Sequence, residues 1–400
     1  MKKISLLGTG IILAVLSLAG CNAGGSGHTN FNKTEEFTVT EDNVNDLNSK
    51  IKHVALQSAL AMDNVNVKAS VKDVNFHFNS ESQERGEEEG EVLTSTARVD
   101  LENINATLEA GVKGLFSAED ASGFAAYGEL KDTKGTVKIA AKNADDTEIN
   151  ATYSLLDNTM EFYHYNATEY IHISAGLKNT FFNFLGKVLP EQYAPIATAI
   201  ESTIPKSGKI AISGIADGME FPLIQKPTEE DFEGPEIDID QLLDFQTTVM
   251  ENGFELKDLF SLKIQSNKSH YLSVRVSMTK EHLAKAKELA KKIGTENVEL
   301  PLDVDLDATN FEEFTVVIET DASARVNYAS IKLAGFSSQH EEELTDDVYN
   351  ASKEYITNTN VNFEISADYQ SDVMKRIPNA KELELYTPYD ISQIGGLLSN

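Results

Sequence analysis

From residue 64 to about residue 174 the chain alternates apolar and polar positions with few breaks, and this period of two is its dominant pattern. Val65, Val67, Ala69 and Val71 hold one parity, whereas Val74, Phe76 and Phe78 hold the other. Successive side chains of a strand point to opposite faces, so an apolar face that changes parity needs an extra residue. Lys72-Asp73 is therefore expected to hold a bulge or sharp bend. The same slip recurs between Leu93, Ala97, Val99, Leu101 and Ile104, Ala106, Leu108, Ala110. Two such slips predict a curved sheet. Further strands are expected at 124–130, 136–141, 148–155, 159–165 and 169–174, with "KDTKG", "NADDT" and "YNATE" read as turns. Parallel crossovers need intervening helices, and this stretch has none, so it reads as an antiparallel meander.

Elsewhere the period lengthens to that of a helix. Thr40 is the expected N-cap of an amphipathic helix over 41–62, with Val44, Leu47, Ile51, Val54, Ala55, Ala59 and Met62 on its apolar side. Leu177, Phe181, Phe182, Phe184, Leu185, Val188 and Leu189 mark a phenylalanine-rich helix that Pro190 ends or kinks, and Tyr193, Ile196, Ile200 and Ile204 continue a second apolar face. A short helix is expected over 239–250. Thr279 caps another, with Leu283, Ala286, Ala290 and Ile293 on one side and Gly294 past its end. Strand patterns return at 261–265, 271–276, 314–319, 324–335 and 361–369. The order of helix, meander, helical interruption and second meander predicts an α+β fold: a curved antiparallel sheet, a half-barrel-like meander, with helices packed on one face. Residues 41–400 read as a single body, with the acidic loop at 226–238 ("KPTEEDFEGPEID") as the one candidate sub-boundary.

The N-terminus carries a different signal. Met1-Lys2-Lys3 is followed by an apolar run over 4–18, shorter than the roughly 20 residues a membrane-spanning helix needs. This is the pattern of an export signal over 1–20. It ends in Leu18-Ala19-Gly20-Cys21, which resembles the lipobox of bacterial lipoprotein precursors. That resemblance implies recognition of Leu18, Ala19 and Gly20 by the signal peptidase, a diacylglyceryl group on the Cys21 sulfur, and a mature chain that begins at the acylated cysteine. Cys21 is the sole cysteine, so it has no disulfide partner within the chain. Two or three acyl chains are needed for durable attachment, because one holds only marginally. The glycine-rich, polar stretch within 21–40 is expected to be a flexible tether between anchor and body. The expected location is the exported side of a membrane.

Charge narrows the partners. The chain has 34 basic and 64 acidic side chains, a formal net charge of -30, which opposes nucleic acid and anionic lipid headgroups and favours solubility.

Candidate chemistry is sparse. "DVDLDATNFEEF" places Asp303, Asp305 and Asp307 like the start of an EF-hand loop, but Ala308 replaces the turn glycine and Phe314 stands where the bidentate glutamate belongs. Ser277-Met278-Thr279-Lys280 matches the serine-x-x-lysine of penicillin-interacting enzymes, and Lys206-Ser207-Gly208 their second motif, yet the order is reversed. Strand end and helix cap explain Ser277 and Thr279 better. The histidines show no metal-binding spacing. A two-residue turn at Ala167-Thr168 is expected to put His164 and His172 on opposite faces, leaving Tyr163, Tyr165, Tyr170 and His172 as an aromatic ladder. No enzymatic constellation and no cofactor motif emerges.

An N-terminal helix, a curved meander with small inner residues (Ala126, Gly128, Ala141, Ala151) and helices inserted before the sheet resumes resemble the half-barrel of periplasmic lipoprotein carriers and mycobacterial lipid-transfer lipoproteins. The resemblance spans 41–369 and implies an apolar cavity between sheet and inserted helices, with Phe181, Phe182, Phe184 and Leu185 as its lid or lining. The expected function is a lipid-anchored, non-enzymatic protein that binds or carries an apolar or lipid ligand. The alternative is an envelope interaction protein with a filled core and a protein partner.

Overall fold

The structure, a computed structural model, describes residues 4–5, 28–85, 91–144, 148–188, 198, 201–202, 204–215, 219–228, 230, 232, 234–235, 237–294, 298–299, 308–342 and 350–390. The lipobox residues Leu18 to Cys21, the EF-hand-like Asp303, Asp305 and Asp307, and most of the second apolar face after Pro190 lie outside them.

Thirteen strands form one open, curved sheet. In chain order the elements are α1 (Glu41–Leu60), β1 (Asn64–Arg85), β2 (Val92–Lys113), β3 (Ala125–Lys142), β4 (Glu148–Ser154), β5 (Met160–Tyr165), β6 (Thr168–Ile173), α2 (Ala175–Val188), β7 (Lys209–Ser213), α3 (Ile239–Glu251), β8 (Ser261–Gln265), β9 (Ser273–Thr279), α4 (Lys280–Ile293), β10 (Glu313–Thr320), β11 (Val326–Glu342), β12 (Asn350–Asp368), α5 (Ala380–Leu383) and β13 (Thr387–Asp390). Across the sheet the order is β13-β7-β6-β5-β3-β2-β1-β12-β11-β10-β9-β8, with β4 on the far half of β3. The two meanders therefore meet in the middle, where β1 pairs with β12. Ile4–Ser5 forms a separate parallel pair with Val298–Glu299.

The expected bulges are present and belong to a larger feature. Asp73 in β1 and Asn103 in β2 are both left-handed, with φ of 51° each. Asp132 and Gly135 in β3 (54° and 118°), Asn358 in β12 (48°) and Gly335 in β11 (63°) join them. The register shifts between these strands fall at the same level, so one crease crosses five neighbouring strands. Asparagines satisfy backbone groups that the bulges free. Asn75, Asn105 and Asn360 each donate Nδ2 to the carbonyl of the left-handed residue two positions earlier, at 3.1, 2.9 and 3.3 Å. Asn75 Oδ1 also accepts from the Asn103 amide at 2.9 Å, and Asn360 Oδ1 from the Gly335 amide at 3.0 Å. A side chain at Gly135 would put its Cβ 2.8 Å from the Asn103 carbonyl oxygen, so only glycine fits that point.

This crease corrects one expectation. "KDTKG" is not a turn: β3 runs unbroken from Ala125 to Lys142, pairing with β2 on both sides of Asp132 and Gly135. Other boundaries also move. The hairpin after β5 turns at Asn166-Ala167, both left-handed, so His164 pairs with Glu169 rather than Ile171. Asparagine tolerates that conformation, which shifts the turn by one residue. The sheet is not wholly antiparallel, because β13 joins β7 in parallel at one edge. β11 and β12 extend beyond the expected 324–335 and 361–369.

One end of the sheet carries the main core. Val44, Leu47, Ile51 and Val54 of α1 are at most 4% exposed and pack with Val274, Val276, Val316, Ile318 and Val326. Each such side chain contributes about 1.5–3 kcal/mol by leaving water, an upper estimate for a compact unfolded state. Thr40 caps α1 through the Asn43 amide and Thr279 caps α4 through the His282 amide. Ile237, at the end of the acidic loop, exchanges two hydrogen bonds with the Asn48 side chain of α1, at 2.8 and 2.9 Å.

Residues 28–39 also depart from the expected tether. Phe31 and Val39 are buried, the Phe37 amide donates to the Leu262 carbonyl at 2.7 Å, and Glu36 bridges Lys263 on the β8 edge. Two apolar residues in a polar segment suffice to dock it there.

Asn103→Val is expected to lower stability by about 1–2 kcal/mol, the cost of a left-handed β-branched residue, and Asn103→Gly by less. Urea unfolding of the two variants beside wild type measures both.

Candidate functional site: a half-covered apolar sheet face

Strand register places Val67, Ala69 and Val71 of β1 level with Ala110, Leu108 and Ala106 of β2, then with Gly128 and Leu130 of β3, and these with Phe162 and Met160 of β5. On the other side, Ala69 pairs with Ile365 and Val71 with Phe363, which continue through Ala329 and Ile331 into the strands under α1. One apolar face thus runs the width of the sheet. The crease carries it on: beyond the bulges, Val74, Phe76 and Phe78 pair with Ile104, Leu101 and Val99, which continue to Val137 and Ile139.

Cover on this face is uneven. Under α1 and α3 the side chains are buried, whereas Leu108 is 48% and Met160 39% exposed. A Cβ added at Gly128 meets no atom within 4 Å. The small residues expected to share a face do so. Ala126 and Gly128 sit two apart on β3, and Ala141 and Ala151 lie beyond the crease, Ala151 opposite Ile139. An apolar surface with missing side-chain volume is the form of a ligand site for hydrocarbon.

Helix α2 flanks this region. Phe184 lies edge-on to Tyr153 of β4 with ring centroids 5.9 Å apart, and Asn158 Nδ2 donates to Thr180 Oγ1 at 3.2 Å. Phe182 is half-buried and stacks edge-on with Phe181, which is 50% exposed. The Leu185 side chain lies outside the described residues. Phe184 is therefore tied to the sheet, whereas half of the Phe181 surface faces solvent.

The opposite face is polar and closed. The turn at Val373–Arg376 sits on it, with Arg376 bonded to Glu109 and, at 2.8 Å, to Glu129, while Lys131 reaches Glu109 at 2.7 Å. Burial alone raises the Glu109 carboxyl, but Lys131 and Arg376 outweigh it and hold it below the usual range. Tyr163 and Tyr127 are buried here with Val373, and Tyr170 meets Tyr386 edge-on at 5.4 Å. The expected aromatic ladder is thus packing beneath the C-terminal segment. Further along that face Asp100, nearly fully buried, takes His77 at 2.9 Å and Arg98 at 2.7 Å. Burial opposes its charge, and these two donors still hold its carboxyl below the ordinary range.

One polar pair lies on the apolar face. His164 and Glu169 are 3% and 8% exposed, with Nδ1 2.6 Å from Oε1. Phe124 covers the imidazole at 5.0 Å, and His164 Nε2 reaches the Ala121 carbonyl at 3.4 Å. The bond to Glu169 raises the His164 pKa against the opposing effect of burial. Sequence reading missed this pair because the turn, set one residue late, separated the two.

No group of three or more histidine, cysteine or acidic side chains suited to a metal exists among the described residues, and no described helix is long and apolar enough to cross a membrane. A shallow cleft of 470 Å³ lies at the β8 edge between His28–Asn30 and Asn267–His270. Its walls are polar, and His28 Nδ1 and the Thr29 amide there hold the buried Glu319 carboxylate at 2.8 and 2.5 Å.

No family model matches the chain, and no curated protein matches it. Among solved structures, the chain is matched with a beta-barrel-like protein of a domain of unknown function, DUF1849, from Brucella abortus, at 9% identity and a TM-score of 0.12, covering 73% of this chain and 99% of that one. A TM-score that low carries no argument about fold or function.

Folded His164 binds its proton more tightly than an unfolded histidine. Its contribution is therefore complete below pH 6.5 and is lost as pH rises through the folded pKa. The wild-type urea midpoint is expected to fall between pH 6 and pH 9 by more than that of His164→Phe/Glu169→Leu.

Proposed function

We propose that this chain is an exported lipoprotein, held to a membrane through acylated Cys21, whose apolar sheet face binds an apolar ligand without chemical conversion. One observation carries the binding: the strip around Leu108, Gly128 and Met160 is apolar, open to solvent and short of side-chain volume, while the same face under α1 is filled. Soluble proteins rarely leave such a surface uncovered without a use for it. Phe184 of α2, against Tyr153, with Phe181 and Phe182 on the same helix, would supply the lining that a bound chain touches. The anchoring rests on Leu18-Ala19-Gly20-Cys21 behind an apolar leader. With two or three acyl chains on the one cysteine, a body of this acidity stays at a bilayer it would otherwise leave.

Two measurements test the two halves. Cells fed labelled palmitate are expected to label the wild-type protein and not Cys21→Ser; equal absence of label in both would remove the anchor. In the full chain carrying Cys21→Ser, so that no attached acyl group competes, the neutral dye N-phenyl-1-naphthylamine is expected to brighten on binding. Gly128→Leu, which has room for its side chain, is expected to keep or slightly raise stability and to weaken dye binding at least about tenfold, the loss of roughly 1.4 kcal/mol. Dye binding that ignores position 128 would sink the reading.

A further inference from the structure

The His164–Glu169 pair leaves one atom unexplained. Glu169 Oε1 is held by His164, but Oε2 is buried and has no hydrogen-bond partner. A buried carboxylate oxygen with nothing to accept from is costly, and such orphans in a folded protein mark strain, an ordered water or ion, or a ligand. Its position favours the ligand. Glu169 stands beside Ile171, which pairs with Phe162, which pairs with Gly128, so this buried oxygen belongs to the same sheet face as the unfilled space, two strands away from it.

Building on the apolar-ligand reading above, we propose that Glu169 Oε2 accepts a hydrogen bond from an uncharged hydroxyl at the head of an otherwise apolar ligand, such as a long-chain alcohol or an acylglycerol. The chemistry excludes the other heads. A carboxylate or phosphate offers this oxygen only repulsion and meets a chain of net charge -30 on approach. An ammonium head would stand beside the His164 imidazole, which already occupies Oε1 and whose proton affinity the pairing raises. A hydroxyl satisfies the oxygen without adding charge to a face that carries Phe162 and Ile171, with Phe124 against His164.

The test compares heads on one tail. In the full Cys21→Ser chain, displacement of N-phenyl-1-naphthylamine by 1-decanol is set beside displacement by 1-methoxydecane, which lacks the donor, and by decanoate. The alcohol is expected to bind about tenfold or more tighter than the ether, the size of a hydrogen bond to a charged group, and tighter than decanoate. His164→Phe/Glu169→Leu replaces both partners with apolar groups, so it is expected to fold, to keep dye binding and to lose the preference for alcohol over ether. Equal affinity of alcohol and ether for wild type, or a preference that survives the double variant, overturns the assignment while leaving the apolar site standing. If none of the three displaces dye that Gly128→Leu excludes, the hydroxyl assignment falls and the apolar site stands; dye binding that ignores position 128 removes both.

Discussion

The architecture depends on where five strands take their extra residues. Side chains of a strand alternate with a period of two, so a strand long enough to reach across this sheet and bend would, on gaining a residue, throw its apolar set onto the other face. Here Asp73, Asn103, Asp132, Asn358 and Gly335 absorb that residue at one level by going left-handed, and the apolar side chains before and after them stay together. The bulges would free backbone groups in every strand they cross. Asn75, Asn105 and Asn360 close that deficit from within their own strands, and Asn75 and Asn360 also reach the next one. A crease shared by neighbours is self-consistent in a way that a bulge in one strand is not, because each shifted register matches the shift beside it. It also lets β3 change partners, pairing with β5 before the crease and with β4 after it.

The two faces that result have opposite fates. The polar one is closed by ion pairs centred on Glu109 and by tyrosines under the C-terminal turn, and those groups are committed to one another. The apolar one is covered by α1 and α3 where the second meander lies and left half-bare over the first. Leaving Leu108 and Met160 in water forfeits burial worth on the order of 1 kcal/mol each. That loss is tolerable because the filled half already holds the fold, and it is the physical separation between core and site: one half of a continuous face stabilises the protein so that the other half can stay open.

Much of this was legible in the residues. The change of parity at Lys72-Asp73 located the bulge in β1, and the slip before Ile104 located that in β2. The crease as a whole was not read, although the motif of a left-handed Asp or Asn followed two residues later by Asn is written three times, at Asp73-Val74-Asn75, Asn103-Ile104-Asn105 and Asn358-Thr359-Asn360. In β3 the third residue is Lys134, and the polar composition of that bulge is indistinguishable from a turn. The ends of β11 and β12 escaped for a related reason. Ser337 to His340 and Thr357 to Asn360 carry no apolar alternation, and they form strands because β1 offers β12 a paired edge and β12 offers one to β11. For the site, the shared face of Ala126, Gly128, Ala141 and Ala151 followed from period alone. How far α1 covers that face did not, since it depends on contacts almost three hundred residues apart.

The docked segment adds a constraint on how the proposed anchor and the open face relate. From Cys21 to His28 is seven residues, a reach of at most about 25 Å even fully extended. His28 and Thr29 are fixed to Glu319, and Phe37 to β8, at the edge of the sheet opposite β13. An acylated Cys21 would therefore hold the β8 edge near the bilayer. Gly128 on β3 lies seven strand spacings away in the sheet order, roughly 34 Å along a surface whose strands are about 4.8 Å apart. The open half of the face is thus set well away from the anchored edge, beyond the filled half under α1. Under the proposed anchoring, a ligand on the open half would be held across the filled half of the sheet from the tethered edge.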